Sequence, residues 1–276
     1  MDQEKLERVE IELFLEAIYQ RYGYDFRKYT RASIRRRIRH RLRESGLTHI
    51  ADMIPKVLHD GSFFRDFLSD MARTVTEMFR DPTFFLEIRR SVLPHFKDRS
   101  VIDIWHPGCA TGEEVYSLAM ILAEEKLLET ARVEATDIHS PSLELARLGK
   151  LQAESSSRYE DNYLQAGGLK SLTDYYVVKR DGIYLREDLT TNMSFRTHNL
   201  ISDGCIRKMD LIVCRNLLVY FESELRDDVL AMFLNSLNPG GFLCLGYKES
   251  LTGTSVEASF DTVSEDQRIY RLKNNH

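Results

Sequence analysis

Two glutamates, Glu113 and Glu114, directly follow a glycine-bearing stretch that reads His106-Pro107-Gly108-Cys109-Ala110-Thr111-Gly112. Gly108 and Gly112 permit a tight turn and let a ligand come close to the backbone. The stretch is not G-x-G-x-x-G, so as a nucleotide motif alone it is weak. The carboxylates say more. A dinucleotide would seat its pyrophosphate on the helix N-terminus that follows such a loop, and two glutamates there would repel it. They suit a cationic ligand. Acidic residues in a first helical turn also complement the helix dipole with no ligand present, and for a single glutamate that plain explanation would be the better one. A third acid shifts the balance. Asp137 ends an apolar run 25 residues after Gly112. In Rossmann-like sites an acid about 20 residues past the loop hydrogen-bonds ribose hydroxyls. The competing role is to cap a helix that starts at Ser140-Pro141; both roles can hold, with Ser140 as the cap. The three acids and two glycines together point to an adenosyl cofactor that lacks phosphates and carries positive charge.

These residues need a scaffold of alternating strands and helices, and from residue 100 the chain supplies one. Val101–Trp105, Val133–Thr136, Phe195–His198, Leu211–Cys214 and Gly241–Gly246 read as strands. Glu113–Glu125, Pro141–Leu148 and Arg226–Leu237 read as the helices between them. Such alternation implies a mainly parallel, doubly wound sheet. Gln267–Leu272 alternates and could pair antiparallel. Residues 150–190 interrupt the rhythm with Ser155-Ser156-Ser157 and Gly167-Gly168, then a short hairpin across Arg180-Asp181, which predicts a small β-subdomain inserted at about 170–190. Residues 1–90 read as helical, with Ile34, Ile38 and Leu42 on one face of a helix from about Thr30 to Ser45 that Gly46 stops, and Phe84–Leu93 as a connecting helix. The expected organisation is a helical N-terminal domain over 1–90 and a sheet domain over 91–276.

The chain has 276 residues, 43% hydrophobic and 29% charged, with a net charge of −5. That excludes a nucleic-acid binder driven by overall charge, so any basic partner site must be local. Cys109, Cys205, Cys214 and Cys244 form no C-x-x-C pair, and the eight histidines form no H-E-x-x-H cluster; no metal is expected. The cytoplasm is the default compartment. The first residues carry no signal-like apolar core, and no run approaches the roughly 18 apolar residues of a membrane span.

At four places the chain resembles the CheR family of chemotaxis protein-glutamate O-methyltransferases. Thr74-Val75-Thr76-Glu77-Met78-Phe79-Arg80 resembles the family's N-x-T-x-F-F-R segment, and Thr111-Gly112-Glu113-Glu114-Val115-Tyr116-Ser117 its T-G-E-E-P-Y-S loop. Ala135-Thr136-Asp137-Ile138 resembles A-S-D-I, and Cys214-Arg215-Asn216-Leu217-Leu218-Val219-Tyr220-Phe221 resembles C-R-N-V-x-I-Y-F. The resemblance runs from about residue 10 to 272. It implies a Rossmann-like class I methyltransferase sheet with a small all-α N-terminal domain, and S-adenosylmethionine, with its sulfonium and ammonium, as cofactor. By resemblance Thr74, Thr76 and Arg80 reach the cofactor pocket, with Arg80 near the transferred methyl group. Gly108 lies in the cofactor loop, Glu114 holds the methionyl ammonium and Asp137 the ribose. Asn199 and Leu200 flank the adenine, Arg215 and Asn216 line the site, and Tyr220 sits near the acceptor. Thr74 stands where the family has asparagine and Met78 where it has phenylalanine. The segment 151–174 is longer than in enteric members. The hairpin at Val177–Ile183 is shorter than in members that dock on a receptor-tail peptide by strand addition, which argues against such docking here.

Transfer of a methyl group to a carboxylate is an in-line displacement. A glutamate side chain ordinarily titrates near pH 4.3, about three units below neutrality, and is already ionised at pH 7. No general base is required, and Arg80 is expected to position rather than activate. Without the resemblance, a salt bridge from Arg80 to Asp81 or Glu77 would be the better reading. From Arg27 to Arg43 stand nine Lys or Arg and no acid. Charge runs are usually solvated faces, but nine cations without an anion favour an acidic partner. By resemblance Arg35, Arg36, Arg39 and Arg43 would face the cytoplasmic methylation helices of a chemoreceptor. The alternatives are a cofactor-binding adaptor without catalysis and a methyltransferase acting on nucleic acid. The latter is disfavoured because Cys214-Arg215-Asn216-Leu217 stands where base methyltransferases carry an N/D-P-P-Y-like segment. A nicotinamide-dependent dehydrogenase conflicts with the acidic helix start.

Overall fold

A computed structural model describes residues 2–72, 76–151 and 156–274. The chain divides into two units: Met1–Arg73 with Val219–Asp228, and Thr74–Leu218 with Val229–His276.

The first unit is helical. Helix α1 (Gln3–Tyr22) ends at Gly23, whose φ of 76° lets its N–H reach the Tyr19 carbonyl at 2.8 Å. Helix α2 (Arg31–Glu44) buries Ile34 and Ile38, the i, i+4 pair of its apolar face, and Gly46 follows it with φ 64°. Helices α3 (Met53–His59) and α4 (Gly61–Ala72) complete it. Phe14, Phe26 and Phe67 form its core with edge-to-face rings.

The second unit holds, in chain order, α5 (Pro82–Glu87), β1 (Ile102–Pro107), α6 (Glu113–Glu124), β2 (Ala131–Asp137), α7 (Ser140–Leu148), β3 (Lys150–Leu151), α8 (Ser156–Gln165), β4 (Tyr176–Lys179), β5 (Gly182–Leu185), β6 (Met193–Thr197), β7 (Met209–Cys214), the part of α9 (Ser223–Ser236) that follows Asp228, β8 (Leu237–Leu245), β9 (Phe260–Ser264) and β10 (Ile269–Leu272). Its main sheet has seven strands in the order β6-β2-β1-β7-β8-β10-β9. The first five are parallel to one another, and β10 pairs antiparallel with both β8 and β9. β7 is buried at all six positions, as a central parallel strand must be. The fold is therefore the expected parallel-dominated α/β sheet with an all-α N-terminal unit. A second sheet, β3-β5-β4, forms the small β-subdomain.

Two details differ from the sequence reading. The division falls at Arg73/Thr74 rather than near residue 90, and Phe84, Phe85, Ile88, Val92 and Leu93 belong to the core of the sheet unit. Residues 156–165, to which the sequence reading gives no element beyond the serine run at their start, form α8, which buries Tyr159, Tyr163 and the following Ala166 at helical spacing.

Strand order reverses between β1 and β7, because β1 pairs with β2 on one side and β7 on the other. Ligands in open α/β sheets bind beyond the carboxyl ends of the strands at that switch point. The loops after β1, β2 and β7 are where Gly108–Gly112, Asp137 and Arg215-Asn216 stand.

Candidate functional site

The loop after β1 is fixed to the end of β2 by backbone hydrogen bonds. Gly108 N–H and Cys109 N–H both donate to the Thr136 carbonyl, at 2.7 and 3.0 Å. Gly108 has φ 71°, and a Cβ there would lie 2.7 Å from Leu217 Cδ2. Gly112 has φ 93°, and its Cβ would lie 2.9 Å from the Tyr116 ring. Both positions therefore favour glycine by conformation, and Gly112 also by space, since its neighbour is the buried Tyr116 ring, whereas the Leu217 side chain could yield at Gly108.

Asp137 closes the loop. Its Oδ2 accepts the Ala110 N–H and its Oδ1 the His139 N–H, each at 2.9 Å. Each oxygen keeps a lone pair for a further donor. Burial pushes the carboxyl above its ordinary range, against the two backbone N–H groups that favour the charged form. Neither expected cap is formed: His139 is the N-cap of α7 and no side chain caps it, while Ser140 is the first helical residue and its hydroxyl instead meets Thr197 Oγ1 at 3.1 Å.

The two glutamates separate. Glu113 is 4% exposed, and its carboxylate accepts the Thr111 hydroxyl at 2.6 Å. Glu114 remains partly exposed. It accepts Arg215 Nη1 at 2.8 Å, and His106 Nδ1 lies 3.7 Å away. Burial would raise the Glu114 carboxyl, but the Arg215 guanidinium and the His106 ring outweigh it and hold it below its ordinary range.

Arg215 organises this end of the sheet. Its side chain is 2% exposed; it binds Glu114, donates to Asp81 Oδ2 at 2.7 Å and to the Arg80 carbonyl at 3.3 Å, and lies 4.0 Å from the Phe84 ring centroid. Next to it, Asn216 sits at φ 61°, and its N–H is held by Glu249 at 3.0 Å. Glu249 also accepts the Gly246 N–H at 2.6 Å. Sequence reasoning missed His106, Asp81 as the Arg215 partner, and Glu249; the signal for His106 was only its place in the glycine-bearing stretch.

The turn carrying Arg80 is strained. Phe79 and Asp81 have φ of 52° and 56°, conformations that cost of order 1–3 kcal/mol each for such residues and persist only where surroundings impose them. Glu77 pairs with Arg158 at 2.8 Å and Asp81 with Arg215, so both acids considered as partners for Arg80 bind other arginines. Thr76 is half-buried in the same segment; Thr74 lies outside the described residues. Asn199 and Leu200 follow β6 in a turn in which Asn199 Oδ1 accepts the Ile201 N–H at 3.0 Å.

The remaining candidates belong to the helical unit. Arg37, 4.6 Å from the Tyr220 ring centroid, stacks on that ring, and the Tyr220 carbonyl accepts the Thr30 N–H at 2.8 Å. Arg35 and Arg39 share one carboxylate, Glu7 of α1, at 2.5 and 2.7 Å. Arg27 binds Glu16 and Asp25, Lys28 binds Glu224, and Arg41 binds Asp70. Arg36 and Arg43 are exposed and have no ion pair among the described residues. Among those residues no group of three His, Cys, Asp or Glu could hold a metal ion, and no helix is long and apolar enough to cross a membrane.

Comparison with known proteins adds the family. Residues 74–269 match the family described as CheR methyltransferase, SAM binding domain, and residues 9–72 match CheR methyltransferase, all-alpha domain. The chain belongs to the CheR methyltransferase family. It is 41% identical over 271 residues to the protein Cher3 of Pseudomonas putida, an alignment covering 98% of this chain and 99% of that one. It is 33% identical over 214 residues to a chemotaxis protein methyltransferase of Vibrio parahaemolyticus and 32% identical to chemotaxis protein methyltransferase 1 of Vibrio cholerae, each alignment covering 74% of both chains. The sheet unit is thus an S-adenosylmethionine-binding methyltransferase domain of the chemotaxis type.

Proposed function

We propose that this chain transfers a methyl group from S-adenosylmethionine to glutamate carboxylates on the cytoplasmic methylation helices of a chemoreceptor, giving the methyl ester. The observation that carries the reading is the switch-point cluster within a CheR domain: buried Asp137 with spare lone pairs, and two carboxylates, Glu114 and Asp81, sharing the single guanidinium of Arg215.

The residues fit the cofactor. Asp137 would accept the ribose hydroxyls, and the side-chain-free backbone at Gly108 would let the ligand lie close. Asn199 and Leu200 would border the adenine. Two acids against one arginine leave an excess negative charge, which suits the methionyl ammonium and the sulfonium. Bound S-adenosylmethionine supplies an electrophilic methyl group. The protein's work is then to align the acceptor oxygen with it and to keep water out. Arg80 would orient the acceptor carboxylate with its planar fork. Thr76 and Asn216 would also contact the cofactor, and Tyr220 would stand by the acceptor. Arg36 and Arg43, exposed and unpaired within the described residues, are the freest contacts for an acidic receptor helix, with Arg35 and Arg39 released from Glu7 when a better anion arrives.

The test is transfer of labelled methyl from S-adenosylmethionine to a purified receptor cytoplasmic fragment, followed by alkali. The reading expects label on the fragment that alkali releases as methanol, because an ester hydrolyses where an N-methyl group does not. Alkali-stable label, or label on nucleic acid alone, would overturn it.

A further inference from the structure

The inserted helix α8 grips the strained turn that carries Arg80. Asn162 Nδ2 donates to the Met78 carbonyl at 3.1 Å. Arg158 pairs with Glu77 at 2.8 Å. The Tyr163 ring lies 5.2 Å from the Phe79 ring, and Phe79 is fully buried at φ 52°. From the other side the Phe79 N–H donates to Ser117 Oγ at 2.8 Å, and that hydroxyl donates to the Glu113 carbonyl at 2.7 Å.

α8 is itself anchored to the sheet unit. The Tyr163 hydroxyl and the Tyr175 hydroxyl both donate to Glu124 of α6, which also pairs with Arg89. Burial works against the Glu124 charge, yet these hydrogen bonds outweigh it and hold the carboxyl below its ordinary range. The helix therefore has a fixed base at its Tyr163 end and reaches the turn through Asn162 and Arg158. A strained backbone persists only where neighbours over-determine it, and here the neighbours come from an insertion that the sheet topology does not require.

We infer that α8 holds the Arg80 turn in register for methyl transfer and that Asn162 is a positioning residue for the reaction. The inference rests on the proposed role of Arg80 at the acceptor. Asn162 is bonded to the Met78 carbonyl rather than to Asp137, Glu114 or Arg215, and it acts through that carbonyl on the placement of Arg80, two residues on. Loss of its amide should loosen the turn without emptying the cofactor site, whose Asp137 contacts come from other loops.

The experiment compares the full-length wild type with Asn162→Ala, Asn162→Gln and Arg158→Ala, using a receptor cytoplasmic fragment as acceptor. For Asn162→Ala the expected result is a roughly fivefold to tenfold lower kcat, with affinity for S-adenosylhomocysteine within about twofold. Asn162→Gln, which keeps a donor, should recover part of that loss, and Arg158→Ala should lower kcat by less than about threefold because its pair is exposed. Amide hydrogen exchange on the free proteins should rise at 77–81 in Asn162→Ala and stay unchanged at the β1–α6 loop. Unchanged kcat and exchange would overturn the inference, as would equal losses of kcat and cofactor affinity, which mark a general structural role. If even the wild type labels no receptor, the proposed acceptor is wrong, and the exchange measurement alone decides whether Asn162 holds the turn.

Discussion

The β1–α6 loop and helix α2 are both stretches of one-sided charge, and the fold treats them differently. At the loop, the acids Glu113 and Glu114 are answered by Thr111 and by a single arginine from β7's end, Arg215, 2% exposed. From Arg27 to Arg43, the cations are answered by acids on α1, α4 and α9, mostly through pairs with at least one exposed or half-exposed member; Arg41–Asp70, 13% and 1% exposed, is the buried exception. A local excess of one sign in a sequence thus says little until its distant partners are counted. Burial then decides what each pair is worth. A buried pair broken on one side leaves an uncompensated charge at a cost of about 3–5 kcal/mol, whereas an exposed pair contributes about 0–1 kcal/mol. The loop is built to be fixed, and α2 carries two arginines, Arg35 and Arg39, that can change partners at little cost.

The sharpest way to break this comparison is Arg215→Ala. It removes the guanidinium from Glu114 and Asp81, whose side chains are 22% and 45% exposed, and the expected loss, reduced by that exposure, is about 1.5–3 kcal/mol of stability, read as a fall of the thermal midpoint of roughly 3–12 °C. A midpoint within about 1 °C of wild type would place Arg215 on the same footing as the surface arginines.

An intermediate effect is expected from pH. Asp137 lies above its ordinary range because of burial, and Glu114 lies below its own because Arg215 and His106 outweigh burial. On acidification Asp137 therefore takes up its proton first, while Glu114 keeps its charge. The signs for stability are opposite. Glu114 contributes above its unfolded value and loses that contribution as pH falls through its lowered one; Asp137 weakens the fold as pH rises from its unfolded value through its raised one. Affinity for S-adenosylhomocysteine should fall as pH is lowered from neutrality towards the ordinary carboxylate range, and the fall should begin at a higher pH than for an ordinary aspartate because burial holds the Asp137 carboxyl up. In Asp137→Asn it should be weaker and flat over that window. The same slope in the variant would assign the titration to another group.

The smallest effect belongs to α2. Glu7→Ala removes the shared partner of Arg35 and Arg39 and should cost about 1 kcal/mol or less of stability in a denaturant titration. It should also raise affinity for an acidic receptor fragment, because two more cations are released. Weaker receptor binding would mean that the Glu7 clamp shapes the docking face.

Much of this was legible from residue types and spacing. Ile34 and Ile38 gave α2 its buried face, Gly46 its stop, and the apolar runs through Leu211–Cys214 and Val133–Thr136 the central strands, because helix and strand periods differ and parallel strands are buried on both faces. Asp137 was legible because it combines an acid, a strand end and a fixed distance from a glycine loop. Helix α8 escaped because its apolar face is made of Tyr159, Tyr163 and Ala166 among polar neighbours, a signal easily read as loop next to Gly167-Gly168. Asp81 and Glu249 escaped because their partners, Arg215 and the Asn216 N–H, lie far along the chain, and no local pattern encodes such pairings; His106, only eight residues before Glu114, gave no signal beyond its place in the glycine-bearing stretch. The intramolecular partners of the arginine run were hidden for the same reason: Glu7, Glu16, Asp70 and Glu224 lie outside it in sequence.

The most direct test of the site is calorimetric titration of the protein with S-adenosylhomocysteine, in the wild type and in Asp137→Ala. The account predicts saturable one-site binding by the wild type and a loss of about 1.5–3 kcal/mol, roughly tenfold to a hundredfold in affinity, when the carboxylate is removed. Undiminished binding by Asp137→Ala, with the fold intact, would contradict the placement of the cofactor at the β1–β2 end of the sheet.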